Sequence, residues 1–545
     1  MSADVIDNLT ATLDALTKQL DGLQEVQREN YDAFYQCSMA LIIFLMQCGF
    51  AFLEAGAVRS KNCTNILLKN LLESLIAGIG YWSVGWAIAY GPSYGWISPI
   101  FGGSQFFLYG MTDYAKFFFQ YVFAATASTI ISGAVAERVE FITFIVYSVV
   151  ISSIIYPVLT HWGWSSDGWM KNGFQFDDIS VGYIDFAGSG VVHLCGGSIS
   201  ILAAWMIGPR IGRYPKHGES GTGEIKGHSV PFAALGGFIL MFGFLAFNGG
   251  STGEISSPGV GQVAALAMVN TVLCGAWAAL AYMFIHYLRS GKWTILLTIN
   301  ACLAGQVAAC AGCNVMHSWA AAITGIGAGL SYLFFAWVCA RLKIDDPLDA
   351  FGVHFGGGFW GLISVCFVGD KGILYGIFDH SIDMRQAGLQ LVWQLICALA
   401  IILWSVGAAF IMFLIMKKLK VLRVSPEVEV KGLDIYKHGE AAYPLTAYGH
   451  GWDEIENVKD PTVREIALRK ISQRVDLSLE ELAPVVKKYS AYTNPKFYEH
   501  PEHFQNAEVK EEILKYKPDP TTNGDHTPRG AIRRINNSSV VPVNE

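Results

Sequence analysis

Charged side chains are scarce in this sequence. They make up 15% of the 545 residues, against about 25% in an ordinary soluble domain, while hydrophobic residues make up 52%. The charges that are present concentrate near the N-terminus, in short connections and in the C-terminal part. This imbalance favours a membrane protein over a soluble globular one, and the placement of the charges indicates a membrane domain with polar ends. Because no basic stripe occurs, we expect no nucleic acid partner.

The sequence also lacks the cysteine pattern of a disulfide scaffold or a metal site. Its eleven cysteines are scattered singly through apolar segments, as buried thiols usually are. The one Cys-x-x-Cys, from Cys310 to Cys313, has no second pair and no flanking histidines. We therefore expect no metal, no cofactor and no enzymatic activity. A membrane enzyme with histidine metal ligands is the disfavoured alternative.

Long apolar runs are what the sequence has in abundance, and about 20 residues are enough to cross a bilayer. Eleven such runs lie near 34–56, 66–90, 117–136, 141–162, 184–207, 229–249, 261–288, 293–313, 317–340, 350–369 and 388–416. They predict an all-α polytopic membrane protein with its two termini on opposite sides. A polar N-terminal segment over 1–30, a transmembrane domain over 31–418 and a C-terminal tail over 419–545 follow from this pattern.

Basic residues predict which side of the membrane each connection faces, since Lys and Arg are retained in the cytosol. Every second connection is rich in them: Arg59 and Lys61; Arg138; Arg210, Arg213, Lys216 and Lys226; Arg289 and Lys292; Arg341 and Lys343; Lys417, Lys418 and Lys420. The intervening connections hold only Lys116, Lys171, Lys371 and Arg385. We therefore expect the N-terminus outside and the tail in the cytosol.

The N-terminal segment has a repeating apolar pattern of its own. Residues Ile6, Leu9, Leu13, Leu16, Leu20 and Leu23 alternate three- and four-residue spacings, which is the a/d pattern of a short coiled coil. The alternative is a lone amphipathic helix on the protein or membrane surface. The sequon at Asn8 would be glycosylated if this segment is extracellular.

Two histidines lie inside predicted spans, and each follows an aspartate in a glycine-rich stretch. His193 follows Asp185 in the fifth run, and His354 follows Asp349 in the tenth. Ionisable groups in hydrocarbon are costly and by default mark a transport or proton pathway, although a single histidine can also simply bond a neighbouring helix. Their matched places predict a 5+5 inverted repeat plus a final helix, with both imidazoles at the centre as proton relays.

The two aspartates are expected to support this site. Asp349 lies near a span end, where we expect it to cap a helix through backbone N–H groups. Asp185 lies eight residues before His193, which is about 12 Å along a helix, so we expect it near the outer mouth. There it would also raise the local cation concentration. The glycines beside both histidines predict close helix packing around a narrow pore.

Five long motifs occur in order along the chain: Met46-Gln-Cys-Gly-Phe-Ala-Phe-Leu-Glu-Ala-Gly-Ala-Val-Arg59, Phe123-Ala-Ala-Thr-Ala-Ser-Thr-Ile-Ile-Ser-Gly-Ala-Val-Ala-Glu-Arg138, Asp185 to His193, Phe247-Asn-Gly-Gly-Ser251, and Asp345-Asp-Pro-Leu-Asp-Ala-Phe-Gly-Val-His354. Together they closely resemble the motifs of one family, the ammonium transporter, methylammonium permease and Rhesus superfamily. The resemblance covers about residues 33 to 443. The Asp-Phe-Ala-Gly and Phe-Asn-x-Gly-Ser strings are more similar to the ammonium transporter branch than to the Rhesus branch.

The resemblance implies a role for each matched residue. It implies twin pore histidines at His193 and His354, a stacked phenylalanine gate at Phe123 and Phe247, an outer ammonium site at Trp164, Ser251 and Phe123, and a supporting aspartate at Asp185. Trp162 stays open as the alternative to Trp164, because both lie in the same short motif. The resemblance also implies a homotrimer with one pore in each subunit.

The function that the resemblance implies is ammonium transport across a membrane, which we expect to be the plasma membrane. Ammonium would be recruited, deprotonated and conducted as ammonia, with or without its proton. An ammonium sensor with little flux and an electroneutral ammonia channel are the alternatives. The tail segment over 432–443 resembles one that contacts the neighbouring subunit, and 460–492 predicts one or two amphipathic helices.

Overall fold

The protein is mostly helical in a computed structural model that describes residues 3–215, 223–379 and 382–444. Within these ranges, ten helices are long and apolar enough to cross a membrane. They are Asp7–Ala57, Ser60–Tyr90, Tyr114–Val135, Phe141–Asn172, Ser189–Ile207, Val230–Thr252, Val260–Ser290, Ser318–Arg341, Phe351–Phe378 and Met384–Lys418. A shorter apolar helix, Leu296–Ala309, falls in the remaining predicted run.

These spans are assembled from shorter regular segments. The α-helices are Ala3–Phe44, Met46–Ala57, Cys63–Gly80, Trp86–Tyr90, Tyr114–Val135, Phe141–Val150, Tyr156–Trp164, Trp169–Asn172, Cys195–Ile207, Val230–Gly249, Val260–Ser290, Leu296–Ala309, Ser318–Arg341, Gly357–Val368, Ile373–Phe378, Met384–Lys418, Pro426–Lys431 and Leu433–His438. Single π-helical turns occupy Tyr81–Gly85, Ile151–Ile155, Ser189–Leu194 and Phe351–Gly356, and 3₁₀ turns occupy Ser60–Asn62, Gly95–Ile97, Phe106–Leu108 and Gly250–Thr252. One antiparallel hairpin pairs Phe174–Phe176 with Ile179–Val181.

The run predicted over 293–313 is helical only over Leu296–Ala309. Its 14 residues span about 21 Å, which is shorter than the hydrocarbon core of about 30 Å. The chain beyond Ala309 leaves the helix because other groups satisfy its carbonyls. The side-chain amide of Asn270 donates to the carbonyls of Cys313 (2.8 Å) and Met316 (2.7 Å). Irregular backbone at membrane depth is tolerated where it is enclosed by protein in this way.

Buried ion pairs join the loops at one end of the helices. Glu137 contacts Arg59 and Arg210, and Arg210 also pairs with Asp345 at 2.8 Å. Burial alone would raise the pKa of Asp345. The hydrogen bonds and the charge of Arg210 outweigh burial and lower this pKa to about 2. Burial would also raise the pKa of Glu137, but the charges of Arg59 and Arg210 and the hydrogen bonds from Arg59 outweigh burial, so that this pKa is lowered. Several of the basic residues that predicted the topology are therefore also structural.

The first part of the C-terminal tail packs against the same end of the chain. The amide of Asn65 donates to Asp434 at 2.9 Å, and the amide of Leu433 donates to the side chain of Asn62 at 3.0 Å. His438 lies 2.9 Å from the side-chain oxygen of Asn65. This segment, which the resemblance assigns to a subunit contact, thus has contacts within its own chain. The amphipathic helices predicted over 460–492 lie outside the described residues.

Candidate functional site

His193 and His354 lie side by side in the middle of the molecule. Their Nδ1 atoms are 3.1 Å apart, and their rings are nearly parallel, with an interplanar angle of 15° and centroids 5.2 Å apart. Both side chains are buried. At this distance one Nδ1 carries a hydrogen and donates a hydrogen bond, and the other Nδ1 is unprotonated and accepts it. The two rings are therefore opposite tautomers.

Each histidine lies on a π-helical turn at the start of its span, Ser189–Leu194 for one and Phe351–Gly356 for the other. These two helices approach closely because glycines line the contact. A Cβ on Gly197 would lie 2.3 Å from the amide of Phe355, and one on Gly358 would lie 2.3 Å from the carbonyl of Ser189. The close packing predicted from the glycines beside the histidines is therefore present, and it brings the two imidazoles into contact. Single π turns are frequent at functional sites.

Two phenyl rings pack against the buried histidine pair on the side of His193. Phe244 and Phe247 each have their ring centroids 5.5 Å from that of His193. The Nε2 atom of His193 is buried without a hydrogen-bond partner among the described residues. A buried polar atom without a partner is costly, and at a functional site it indicates a place for a transient ligand. The imidazole that carries this nitrogen lies against the phenyl rings of Phe244 and Phe247.

Phe123 and Phe247 form the stacked pair that the resemblance implies. Their ring centroids are 4.1 Å apart with an interplanar angle of 28°, and both side chains are buried. The indole of Trp164 meets Phe123 edge-on, at 5.8 Å and 83°. The indole of Trp164 thus contacts the phenyl pair, and the phenyl pair contacts the imidazole pair. The three groups form one continuous row of rings.

A cavity of about 700 Å³ opens above the phenyl pair. Its lining includes Trp164, Phe123, Ser251, Asp185 and Glu254. The Ser251 hydroxyl donates to the carbonyl of Phe247 at 2.7 Å, which leaves the lone pairs of its oxygen able to accept a hydrogen bond from a cation that carries N–H groups. An aromatic ring and a hydroxyl oxygen that can accept a hydrogen bond thus line the same cavity.

The two tryptophans that the sequence left open have different surroundings. Trp164 lines the cavity, and its indole N–H donates to the backbone carbonyl of Asp185 at 2.7 Å. Trp162 instead packs between Trp169 and Trp404, both at 5.6 Å, and donates to the carbonyl of Ile100. Of these two tryptophans, Trp164 is therefore the one that lines the cavity beside Ser251.

The sequence analysis placed Asp185 on the helix that bears His193. This placement is wrong, because that helix begins only at Ser189. The chain turns at Gly188, whose φ of +105° favours glycine. The Asp185 carboxylate folds over this turn and accepts hydrogen bonds from the amides of Gly188 (3.1 Å), Gly190 (2.9 Å) and Val191 (3.0 Å). The Tyr183 hydroxyl donates to it at 3.1 Å. Asp185 therefore fixes the turn that presents His193.

The second aspartate was assigned the wrong contacts from sequence. Asp349 accepts from the Tyr332 hydroxyl at 2.7 Å, and its side chain does not cap the helix. Asp346 does so instead, since it accepts from the amide of Phe351 at 2.8 Å. Burial and the nearby Asp349 raise the pKa of Asp346 to about 7. The error arose because the two residues occur in one short acidic motif.

A set of contacts that the sequence analysis missed holds the loop of Ser251. Asp32 accepts from the amides of Ile255 (2.7 Å) and Ser256 (2.9 Å) and from the Ser256 hydroxyl (2.7 Å). The Tyr35 hydroxyl donates to the carbonyl of Gly249 at 2.9 Å. These residues of the first helix brace both sides of Ser251. No sequence motif indicates this role, because each residue makes its contact singly and its partner lies more than 200 positions away in the sequence.

The sequence and structure comparisons agree with this geometry. A sequence profile of the Ammonium Transporter Family matches residues 33–443. The chain belongs to this family. Among its relatives, the Caenorhabditis elegans protein named "Putative ammonium transporter 1" is 58% identical, over 88% of this chain and 92% of the relative. The ammonium transporter Amt2 of Archaeoglobus fulgidus is 37% identical, over 80% and 93%.

Solved structures of the family share the fold. A sensor Amt protein superposes with a TM-score of 0.68 at 35% identity, covering 76% of this chain and all of the other. Mep2 of Saccharomyces cerevisiae superposes with a TM-score of 0.63 at 24% identity, covering 74% and 89%. With its ten apolar helices of sufficient length among the described residues, this family member is a multi-pass membrane protein.

Proposed function

We propose that the protein transports ammonium across the membrane by removing a proton before the dry part of the path. The observation that supports this most directly is the contact between the His193 and His354 rings, directly behind the Phe123 and Phe247 stack. Family membership and the names of the relatives point to the same substrate.

Recruitment takes place in the outer cavity. Ammonium and potassium have similar size and the same charge, so charge alone cannot select between them. The Trp164 indole attracts a cation through its π face, which contributes about 0.5 to 2 kcal/mol. Ser251 adds a directional hydrogen bond that ammonium satisfies and potassium cannot. The selectivity of this site therefore depends on the N–H groups of the substrate.

Passage beyond the cavity requires neutralisation. Phe123 and Phe247 fill the path with buried phenyl rings, where an unpaired ion would lose its hydration at a cost of many kcal/mol. Ammonium that transfers its proton to a water molecule of the solvent-filled outer cavity crosses as ammonia without that cost, and the resulting hydronium holds the proton until it is passed on to the histidine pair. Ammonia can then accept and donate hydrogen bonds at the imidazoles, and the free Nε2 of His193 is the first nitrogen that it meets.

The proton follows through the histidine pair in this proposal. The shared Nδ1 contact lets one imidazole receive a proton at one nitrogen and release another at the second. Ammonia and one proton then arrive together on the far side, so the net transported species is ammonium and each cycle moves one charge. An ammonia channel would move no charge, and a sensor would bind ammonium with little flux.

The architecture that we propose has eleven spans, with Leu296–Ala309 as the eighth. The first ten form an antiparallel 5+5 repeat, which places the two histidine helices in corresponding positions. The N-terminus is outside and the tail cytosolic, in the plasma membrane, and the subunits form a homotrimer.

Glycosylation of the exposed Asn8 tests the orientation. A mass shift of the protein that Asn8→Gln removes would support an N-terminus outside the cell. An unmodified Asn8 in cells that glycosylate such sequons would count against it.

Current in an ammonium gradient, measured with potassium as competitor, tests the function. We expect the wild type to pass ammonium current, and His193→Ala to abolish it or to admit potassium. His286→Ala is the matched control, because His286 lies on the spanning helix Val260–Ser290 and stacks on Tyr282 away from the cavity. Unchanged current and selectivity in His193→Ala would refute the relay. Ammonia flux without current would identify a channel, and binding without flux would identify a sensor.

A further inference from the structure

The first helix presents an apolar stripe that the transport path does not use. The stripe comprises Leu9, Leu13, Leu16, Leu20 and Leu23. Their side chains are between 55% and 69% exposed, although such side chains are normally buried. We call this set the leucine stripe. Its alternating spacings of four and three residues place all five members on one face of the helix.

Within the part of the chain that the structure describes, nothing covers the leucine stripe. Every residue from 7 to 30 is exposed, so this length of helix makes no packing contact of its own. A helix is marginally stable in water unless an apolar face is packed. The stripe therefore requires an apolar partner.

The membrane surface is not that partner. The helix runs unbroken from Ala3 to Phe44 and thus continues into the first span. A helix of 42 residues without a break extends along the axis of that span and cannot lie flat on the bilayer. The contacts of Asp32 with Ile255 and Ser256 fix its direction further. The stripe consequently projects away from the membrane.

We propose that the leucine stripe packs against the same stripe of neighbouring copies, as a parallel coiled coil outside the membrane domain. With Leu13 and Leu20 as a positions and Leu9, Leu16 and Leu23 as d positions, the flanking e and g positions are Thr10, Thr12, Thr17, Gln19, Gln24 and Val26. None of these is charged. Identical helices in register therefore bring no like charges together along the seam.

The charges of this segment lie on the opposite side of the helix. Asp7, Asp14 and Asp21 occupy b positions, and Lys18 and Glu25 occupy f positions, all of which face solvent in a coiled coil. A partner with a basic groove would need acidic residues beside the stripe, and this helix has none there. The charge pattern favours another copy of this chain as the partner.

Parallel orientation and register follow from the membrane. Copies that are inserted the same way project their first helices in the same direction. The Asp32 contacts hold each helix at the same height above its own bundle. Equivalent leucines therefore meet one another, Leu16 against Leu16 and Leu23 against Leu23.

Cysteine cross-linking of the full-length protein tests this inference. Leu9→Cys, Leu16→Cys and Leu23→Cys place thiols at the seam, whereas Ala15→Cys places one on the outer face, a single residue away. The wild type measures background from its native cysteines, such as Cys37 and Cys48. Under mild oxidation in membranes, we expect disulfide-linked chains for all three stripe variants, at least tenfold above Ala15→Cys and the wild type.

Two further comparisons make the outcome decisive. Adding Leu13→Asp and Leu20→Asp to Leu16→Cys should remove the linkage, while the amount of protein at the cell surface and the melting temperature of the purified protein verify that each variant is folded. Equal linkage at residues 15 and 16, or none at any stripe position, would overturn the proposal. Linkage at Leu16→Cys but not at Leu9→Cys and Leu23→Cys would overturn the parallel arrangement. These readouts do not depend on transport, so their failure leaves the proposed function intact.

Discussion

Replacing Asp185 with asparagine tests whether this residue sets the position of His193. The carboxylate accepts four hydrogen bonds, from the amides of Gly188, Gly190 and Val191 and from the Tyr183 hydroxyl. All four partners donate, so the shell suits an acceptor that offers no hydrogen of its own. Asparagine has nearly the same shape but only one accepting oxygen.

The cost can be worked from these contacts. If the amide oxygen of the asparagine takes the place of Oδ2, it keeps the hydrogen bonds from Gly190, Val191 and Tyr183. The NH₂ group of the asparagine then faces the amide of Gly188, and both groups are donors. One charge-assisted hydrogen bond is lost, worth about 1.5 to 3 kcal/mol, and the three others weaken to neutral strength, at roughly 0.5 to 1 kcal/mol each. We expect the turn to lose about 3 to 6 kcal/mol, which is enough to release it from its native conformation.

The expected result is a fall in maximal ammonium flux of at least tenfold, with a lower melting temperature for the purified protein. Asp178→Asn is the matched control, since it removes the same charge from a carboxylate in the same connection whose side chain is 87% exposed. Flux should be measured per molecule at the cell surface, so that poor folding is not read as poor transport. An Asp185→Asn protein with wild-type flux and melting temperature would refute the positioning role.

Three other substitutions probe separate parts of the path. Asp32→Ala frees the loop of Ser251, and we expect the half-saturating ammonium concentration in uptake assays to rise about threefold to tenfold, which corresponds to about 0.7 to 1.4 kcal/mol. Phe247→Ala removes one ring of the proposed gate and should admit water, so we expect potassium current to appear in voltage-clamp recordings. Asp346→Asn changes the pH dependence of stability. Because burial and Asp349 raise the pKa of Asp346 to about 7, the folded state binds more protons than the unfolded state between about pH 4 and pH 7. Wild-type stability should therefore fall as pH rises through this window, and thermal melting of Asp346→Asn should show a smaller fall.

Each of these predictions has an outcome that contradicts it. Asp14→Ala, on the exposed part of the same helix, controls for Asp32, and an unchanged half-saturating concentration in Asp32→Ala would exclude the bracing role. Phe238→Ala, on the exposed face of Val230–Gly249, controls for the gate, and continued exclusion of potassium by Phe247→Ala would contradict it. Equal pH slopes for the wild type and Asp346→Asn would show that Asp346 does not hold the proton.

The spans were predictable from the sequence where apolar length alone decides the structure. Ten of the eleven predicted runs coincide with helices that are long enough to cross a membrane. The run over 293–313 looked equivalent, but its helix ends at Ala309. The reason is the amide of Asn270, which lies on a different helix and binds the carbonyls of the following chain. Local hydropathy does not depend on a contact with a side chain from another helix, so it could not predict where this helix ends.

The candidate site was predictable where residues occur in extended motifs. The placement of His193 and His354 at matched positions foretold their proximity, and the motif around Phe247 foretold the stacked rings. Asp185 was misplaced because a helical pattern was extended through Gly188, where the left-handed backbone conformation ends it. Spacing along the chain predicts which residues share a region, whereas hydrogen-bond geometry decides what each of them holds.

Asp185 links two steps that the sequence treats as separate. Its backbone carbonyl receives the indole N–H of Trp164, and its carboxylate binds the amides of the turn that bears His193. The ring that we propose attracts the cation and the ring that we propose receives its proton are thus fixed relative to the same residue. Selection by hydrogen bonding requires such a fixed distance, since a site that could expand would also accommodate hydrated potassium. The rigidity of this buried turn, more than the charge of Asp185 at the mouth, is therefore what the path requires of it.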